Sequence, residues 1–394
     1  MKIKVLSLAT VYPTDLEPAL GSFIRTRLQH MAVIAEILVV APMPVFNYAR
    51  PRKLRCGRTA VSRRDEAMEV IRPRWIYPPF GGAWNAIFLF FQLLVPILRL
   101  RRRFQFQVID AHFAHPEGVA AALLAAVFRC PFMVTLRGSE QLHGRRWLRR
   151  RWMGWTLRRA SRVIAVSERL RQFAIALGAP ASRTVTIPNG IDTCVYHPYD
   201  QNPGRAEYAV APLHRLIVSA GHLIELKGHH RIIRAVRGLL DGGADVMLLI
   251  AGGRGRAEDY APMLRREIAA LGLGERVRLV GHLAPASLAR LIAAADVFCL
   301  ASSREGWPNV VHEALACGTP VVAADVGAVP EMIPSEQFGI VVPPGDVTAL
   351  ENGLRQALSR QWDRAAIAAW GRMRSWQQVA SEVLREIEQI VAAA

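Results

Sequence analysis

The stretch from Val297 to Ala324 constrains the fold of this chain more than any other. It opens on the apolar run Val297-Phe298-Cys299-Leu300, which reads as a buried strand. Gly306 and Pro308 then interrupt any regular element. From Asn309 to Ala316 the residues suit a helix, which Gly318 stops with Pro320 just beyond. A second apolar run, Pro320 to Ala324, reads as the next strand. The unit is therefore strand, tight loop, helix, strand. Its loop feeds a helix N-terminus, where free backbone N–H groups and the helix dipole favour an anion. Two carboxylates, Glu305 and Glu313, stand eight positions apart, one before the helix and one inside it. Helical pitch places Glu313 further along the side on which Glu305 opens the helix. An anion cradle between two hydroxyl-seeking carboxylates suits a sugar nucleotide, with the diphosphate on the N–H groups and a sugar ring at each carboxylate.

The string Glu305-Gly306-Trp307-Pro308-Asn309, followed by Glu313-Ala314-Leu315-Ala316-Cys317-Gly318-Thr319-Pro320-Val321-Val322-Ala323, resembles glycosyltransferase family 4. A bare Glu-x7-Glu also fits a surface helix with two solvated glutamates; the whole string in this strand–loop–helix–strand setting does not. The resemblance implies the α/β GT-B architecture, two Rossmann-like domains facing across a cleft. It also implies retaining transfer of a hexose from a nucleotide diphosphate sugar to a hydroxyl.

The likeness extends over most of the chain. Gly221-His222-Leu223-Ile224-Glu225-Leu226-Lys227-Gly228 resembles the family's Gly-Arg-Leu-x-x-x-Lys-Gly, which makes Lys227 the expected phosphate ligand. His222 stands where the family has arginine, and histidine charges only near or below neutral pH. His282 and Leu283, after the strand Val277 to Gly281, are implied at the nucleotide base. In the first half, Gly21 matches the loop glycine that lets backbone approach the donor phosphates; an ordinary turn glycine is the alternative. Thr135-Leu136-Arg137-Gly138-Ser139-Glu140 resembles Thr-x-His-Gly-x-Asp, with Arg137 at the histidine that contacts the transferred sugar. By resemblance Glu305 holds donor-sugar hydroxyls and Glu313 the ribose diol. Lys227 and the loop Gly306, Trp307, Pro308, Asn309 and Val310 stabilise the leaving diphosphate. Glu305, Lys227 and Arg137 are thus the candidate catalytic residues. No Asp-x-Asp motif is present, so no metal and no cofactor other than the donor is expected.

At 394 residues the chain suggests two domains. Apolar strands alternating with helices give the α/β class without the resemblance. The stretch His197 to Pro212 reads as a linker, which yields domains at 1–204 and 205–375. Residues 376–394 read as an amphipathic helix that, by resemblance, crosses back to the first domain. Ser22 is predicted to cap a helix from Phe23, and the Arg-rich residues 49–74 to form an exposed excursion. Five scattered cysteines without a Cys-x-x-Cys pair indicate neither a disulfide framework nor zinc, which fits a reducing cytosol.

The formal net charge is +18, and it is lopsided. Residues 1–200 hold 30 Lys and Arg against 12 Asp and Glu, whereas residues 201–394 hold 20 of each. Such asymmetry points the first half at a polyanion. Gly81 to Leu98 is apolar but falls short of the about 20 residues a membrane span needs, and arginines follow it. Within Arg145 to Arg162, Leu148, Trp152 and Trp155 share a helical stripe. Tryptophans among arginines suit an anionic bilayer interface or stacked bases. A helix with its Trp stripe packed inward and its arginines solvated is the plainer alternative. The sugar-nucleotide motif sets a membrane ahead of nucleic acid as partner. The resulting expectation is a cytoplasmic enzyme, peripheral on the inner face of the cell membrane, acting on a glycan or lipid-linked glycan of cell-surface polysaccharide. A sugar-nucleotide epimerase of the same fold and a non-catalytic membrane-associated scaffold are the alternatives.

Overall fold

A computed structural model describes residues 2–15, 17–45, 63–65, 68–77, 82–255 and 258–394. The chain divides into two compact units, Met1–Gly190 with Trp376–Ala394, and Ile191–Ser375.

The first unit contributes strands β1 (Lys4–Leu8), β2 (Glu36–Val40), β3 (Met43–Pro44), β4 (Arg63–Asp65), β5 (Met68–Ile71), β6 (Arg74–Trp75), β7 (Val108–His112), β8 (Phe132–Leu136), β9 (Arg162–Ala165) and β10 (Thr184–Thr186). Eight of them form one sheet in the order β10-β9-β8-β7-β1-β2-β5-β4. It is parallel except at the β4 edge. Strands covered on both faces read as unbroken apolar runs, which is why Val108–His112 and Phe132–Leu136 were legible. Helices α1 (Ser22–Ala32), α2 (Asn85–Arg103), α3 (Val119–Phe128), α4 (Glu140–His143), α5 (Trp147–Arg159) and α6 (Glu168–Ala176) follow their strands.

The second unit carries α7 (Gln201–Glu207), α8 (His229–Asp241), α9 (Ala261–Ala270), α10 (Pro285–Ala294), α11 (Asn309–Ala316), α12 (Val329–Met332), α13 (Val347–Ser359) and α14 (Arg364–Gly371). Its strands β11 (Arg215–Ala220), β12 (Val246–Ala251), β13 (Val277–Gly281), β14 (Val297–Leu300), β15 (Val321–Ala324) and β16 (Gly339–Val342) form an all-parallel sheet ordered β13-β12-β11-β14-β15-β16. The chain direction across the sheet reverses between β11 and β14. In open α/β sheets ligands bind outside the carboxyl ends of the strands at such a reversal. Helix α15 (Trp376–Ala392) packs on α1 and buries Val379, Val383, Leu384 and Ile387 within the first unit.

Several expectations need correction. The division falls between Gly190 and Ile191 rather than at 204, because Ile191 and Tyr196 already sit in the second unit's core. Nor is His197 to Pro212 a bare linker. Asp200 caps α7 through the N–H of Asn202, Pro203 is tolerated in the first turn, and Gly204 lets the helix press on the Arg290 carbonyl. Arg205 pairs with Asp296 at 3.1 Å. Ser22 makes no capping bond; Gly21, left-handed at φ 66°, takes the cap position instead. The excursion expected over 49–74 lies outside the described residues from 49 to 62. Further on, β5 is built into the sheet with Met68 and Val70 buried.

Candidate active site

The loops that leave β11 and β14 converge at the reversal point of the second sheet. After β11, Gly221 has φ 152°, and a Cβ on neighbouring Gly252 would strike the Gly221 carbonyl. Only glycines allow these two strand ends to run so close. A single 3-10 turn, Glu225–Lys227, then carries the chain to Gly228, left-handed at φ 69°, which opens α8. A side chain at Gly228 would collide with the carbonyl of Ala301 at the end of β14. Ser303 N–H donates to the Leu226 carbonyl at 2.9 Å, and Arg231 donates to the Ala301 carbonyl at 3.1 Å. The two loops are thus sewn together by one backbone and one side-chain bond.

That sewing sets Lys227 against Glu305. Lys227 Nζ donates to Glu305 Oε1 at 2.6 Å, with side chains only 19% and 11% exposed. His222 projects beside them. Solvent reaches its ring, yet crowding by the surrounding protein lowers its pKa below the ordinary 6.5, and Lys227 and His282 push the same way. At neutral pH His222 is therefore uncharged. His282 is exposed beside Gly253, and Leu283 packs on the core.

Glu305 lies on the loop, and α11 begins only at Asn309, so no helical spacing relates Glu305 to Glu313. Gly327, left-handed at φ 54°, presses on the Glu305 carbonyl, and Ala328 N–H donates to the Gly306 carbonyl at 3.0 Å. These contacts fix the loop that delivers Gly306, Trp307 and Pro308. Trp307 is half-buried, edge-on to the buried His312 at 5.8 Å. Pro308 takes the cap position of α11 and offers no side-chain acceptor to the turn that begins at Asn309. One turn on, Glu313 accepts from the Tyr196 hydroxyl, while its Oε2 is shielded and has no partner. Burial raises its pKa from 4.5 to about 7, with the Tyr196 bond working against the rise. Glu313 as a whole is half-buried, but its carboxyl end is enclosed, with Oε2 shielded from solvent.

Gly21 and Arg137 belong to the first unit. Gly21 closes the turn into α1 against the Val11 carbonyl. Arg137 follows β8 and turns inward. It donates to Asn189 Oδ1 and to His112 Nδ1, both at 3.2 Å, and lies 5.0 Å over the Phe23 ring. His112 meets Ser7 Oγ through Nε2 at 3.0 Å and is held neutral by burial and by the Arg27 and Arg137 charges. Burial and Arg27 also work against the charged form of Arg137, which arginine nonetheless keeps. Arg27 pairs with Asp110 at 2.5 Å and donates to Thr135 at 2.9 Å. Glu140 accepts from the N–H groups of Arg137, Gly138 and Ala114, stapling the loop that carries Arg137. Glu117 accepts from Thr10 after β1, and burial raises its pKa to about 7.

The sequence reading missed Tyr196 and the Arg27–Asp110 pair. Nothing local marks Tyr196. Asp110 gave a signal, since a charge inside the apolar strand Val108-Ile109-Asp110-Ala111 demands a buried partner.

Comparison with known proteins matches both halves. The family model for glycosyl transferases group 1 matches residues 203–374, and that for Glycosyltransferase Family 4 matches residues 49–194. A putative teichuronic acid biosynthesis glycosyltransferase, TuaC of Bacillus subtilis, is 28% identical over 86% of this chain and 86% of its own length. A phosphatidyl-myo-inositol mannosyltransferase of Mycobacterium leprae is 34% identical over 58% of this chain and 59% of its own. Among solved structures, sucrose-phosphate synthase from Thermosynechococcus elongatus aligns with a TM-score of 0.79 at 19% identity, covering 99% of this chain and 100% of that one. HepE of Anabaena, solved with UDP, aligns at 0.77 and 22% identity over 99% of this chain and 100% of its own. HepE with UDP-glucose aligns at 0.70 and 23% identity over 100% and 99%.

Proposed function

The chain belongs to the family 4 type of glycosyltransferases with the GT-B fold, and from that footing we propose that it is a retaining hexosyltransferase. It takes the hexose from a nucleotide diphosphate sugar and passes it to a hydroxyl of a glycan or lipid-linked glycan. The observation that carries this reading is the Lys227–Glu305 pair at the sheet's reversal point, on the loop that leads into α11.

In the reaction the bond from the anomeric carbon to the diphosphate breaks. The acceptor oxygen takes its place, and the acceptor proton leaves on the diphosphate. Charge develops on the departing diphosphate, so Lys227 and the first turn of α11 lower the barrier. Lys227 is held by Glu305. A diphosphate draws the ammonium over, which frees Glu305 to accept hydroxyls of the sugar. Glu313, through its unpartnered oxygen, takes the ribose diol. His282 and Leu283 flank the base. His222, uncharged, donates or accepts hydrogen bonds where the family's arginine supplies charge. Arg137, committed to Asn189 and His112, acts as a positioning residue for its loop.

The HepE complexes with UDP and UDP-glucose support a nucleotide sugar donor. The names of the teichuronic acid and phosphatidylinositol relatives support a polymer or lipid-linked acceptor. The excess of Lys and Arg in the first half supports work at the anionic inner face of the cell membrane. Incubation with UDP-, GDP- and ADP-hexoses and a glycan acceptor, read by NMR of the product anomer, tests the proposal. Retained configuration is expected. Inversion, or no turnover of any donor, contradicts it.

Glu313 adds a pH dependence. A diol binds better to the carboxylate than to the acid, and burial raises the pKa of Glu313 to about 7. The nucleotide's affinity should therefore fall about tenfold as pH drops from about 8 to about 6, because the ionised fraction falls by that factor. Titration calorimetry at several pH values checks this. Glu313→Gln should bind more weakly at the higher pH and show a flat profile.

A further inference from the structure

Helix α5 turns a different face inward from the one its stripe suggests. Met153, Gly154, Thr156 and Leu157 are buried, and Gly154 is needed because a Cβ would lie 2.7 Å from the Leu177 carbonyl. The stripe Leu148, Trp152 and Trp155 instead lines a surface cavity of ≈ 620 Å³ with Arg150, Arg151 and Arg158. That volume lies within the about 300–1,000 Å³ usual for small-molecule sites. Trp152 lines the cavity, and its Nε1 is buried without a hydrogen-bond partner. The Arg159 guanidinium caps the Trp155 ring at 4.6 Å. Residues 141–167 contain no Asp or Glu, so nothing in the segment neutralises these arginines.

Beyond the cavity, which α5 and the end of α6 line, Trp152 and Arg149 also contact the segment that opens α2. Trp84 meets Trp152 edge-on at 6.1 Å, and Arg149 donates to the Gly82 carbonyl at 3.0 Å, clamping the start of α2 to α5. Helix α2 buries Leu89, Leu93, Ile97 and Leu100 on one face. Its other face is also apolar, yet Phe88, Phe91, Val95 and Leu98 are exposed, Phe91 to 65%. A helix apolar all round is ordinarily covered on every side. No helix among the described residues is long and apolar enough to cross a membrane. Residues 70–109 also lack Asp and Glu, and Arg99 and Arg102 are exposed at the end of the stripe.

We propose that the arginine–tryptophan cavity of α5 and the exposed face of α2 form one lipid-docking site, holding the phosphate headgroup of an anionic phospholipid in the cavity and laying Phe88, Phe91, Val95 and Leu98 among the acyl chains. The inference deepens the membrane part of the function above and is independent of the transfer chemistry. The chemistry on the two sides is complementary. Arginines take phosphate through paired N–H donors, and tryptophans sit at headgroup depth. The aliphatic and phenyl stripe selects lipid over nucleic acid, which has no apolar surface of that extent to offer.

Vesicle co-sedimentation of the full chain tests the site, with phosphatidylcholine alone and with added phosphatidylglycerol. Wild type should pellet with the anionic vesicles and not with the neutral ones. Each basic side chain near an anionic leaflet contributes about a factor of five, so Arg150→Ser/Arg151→Ser/Arg158→Ser should bind on the order of a hundredfold more weakly. Phe88→Ser/Phe91→Ser should lose a comparable factor, on the order of a hundredfold, with all arginines kept. Donor hydrolysis should be unchanged in both variants, which also shows that they fold. Equal binding by wild type and either variant overturns the proposal. So does release by inorganic phosphate at an ionic strength matched with chloride, which would mark a free-phosphate site. Release by a single-stranded oligonucleotide would assign the surface to nucleic acid instead. Absent donor hydrolysis with intact vesicle binding would count against the transferase reading alone.

Discussion

Lys227→Ala should lower turnover of the nucleotide sugar by about 10²–10³-fold, the loss typical when one preorganised donor to a developing anion is removed. The ammonium is ordered before the substrate arrives, by Glu305 at 2.6 Å and by the Gly221–Gly228 loop. The second nearby nitrogen base, His222, is neutral near pH 7 and does not substitute for the lost charge. Donor affinity should fall as well, since the diphosphate carries charge in the ground state. Steady-state kinetics with varied donor check both effects, and Lys227→Arg should keep part of the activity. A loss of turnover below about fivefold would remove Lys227 from the role proposed here.

Arg27→Met should destabilise the first unit by about 3–5 kcal/mol, the usual cost of stripping one partner from a buried ion pair. Arg27 and Asp110 are 2% and 0% exposed and lie at 2.5 Å, with Thr135 as a further partner. The substitution leaves the Asp110 carboxylate buried without its cation. Urea unfolding checks it, followed through the first unit's tryptophans. Adding Asp110→Leu should restore much of the loss, because the stranded charge is then gone. A single-variant effect below about 1 kcal/mol would mean that the pair is not buried as described.

The same two sites show what the sequence disclosed and what it withheld. Parallel strands are apolar from end to end, so Val297–Leu300, Val246–Ala251 and Val277–Gly281 could be bounded to within a residue or two from the run alone. The helix Asn309–Ala316 was bounded as closely, because Pro308 and Gly318 punctuate it. Contacts between distant segments leave no such mark. Lys227 and Glu305 are 78 positions apart, and only the resemblance joined them. The bond from Tyr196 to Glu313, and with it the raised pKa of that carboxyl, follows from how the segment after Gly190 folds into the second core. Helix α7 was hidden because Pro203 and Gly204 are breakers by propensity; here tertiary contact with α10 outweighs them. The stripe of α5 was seen, but which face turns inward depends on Leu177, a residue of the next helix's end.

Titration calorimetry of UDP, GDP and ADP into wild type, Lys227→Ala and Glu313→Ala tests the donor site most directly. One nucleoside diphosphate should bind wild type with clear preference, and both variants should bind it more weakly. Each charge-assisted hydrogen bond is worth about 1.5–3 kcal/mol, so the losses should be on the order of tenfold to a hundredfold. Unchanged affinity in both variants would place the nucleotide elsewhere on the molecule and contradict the assignment.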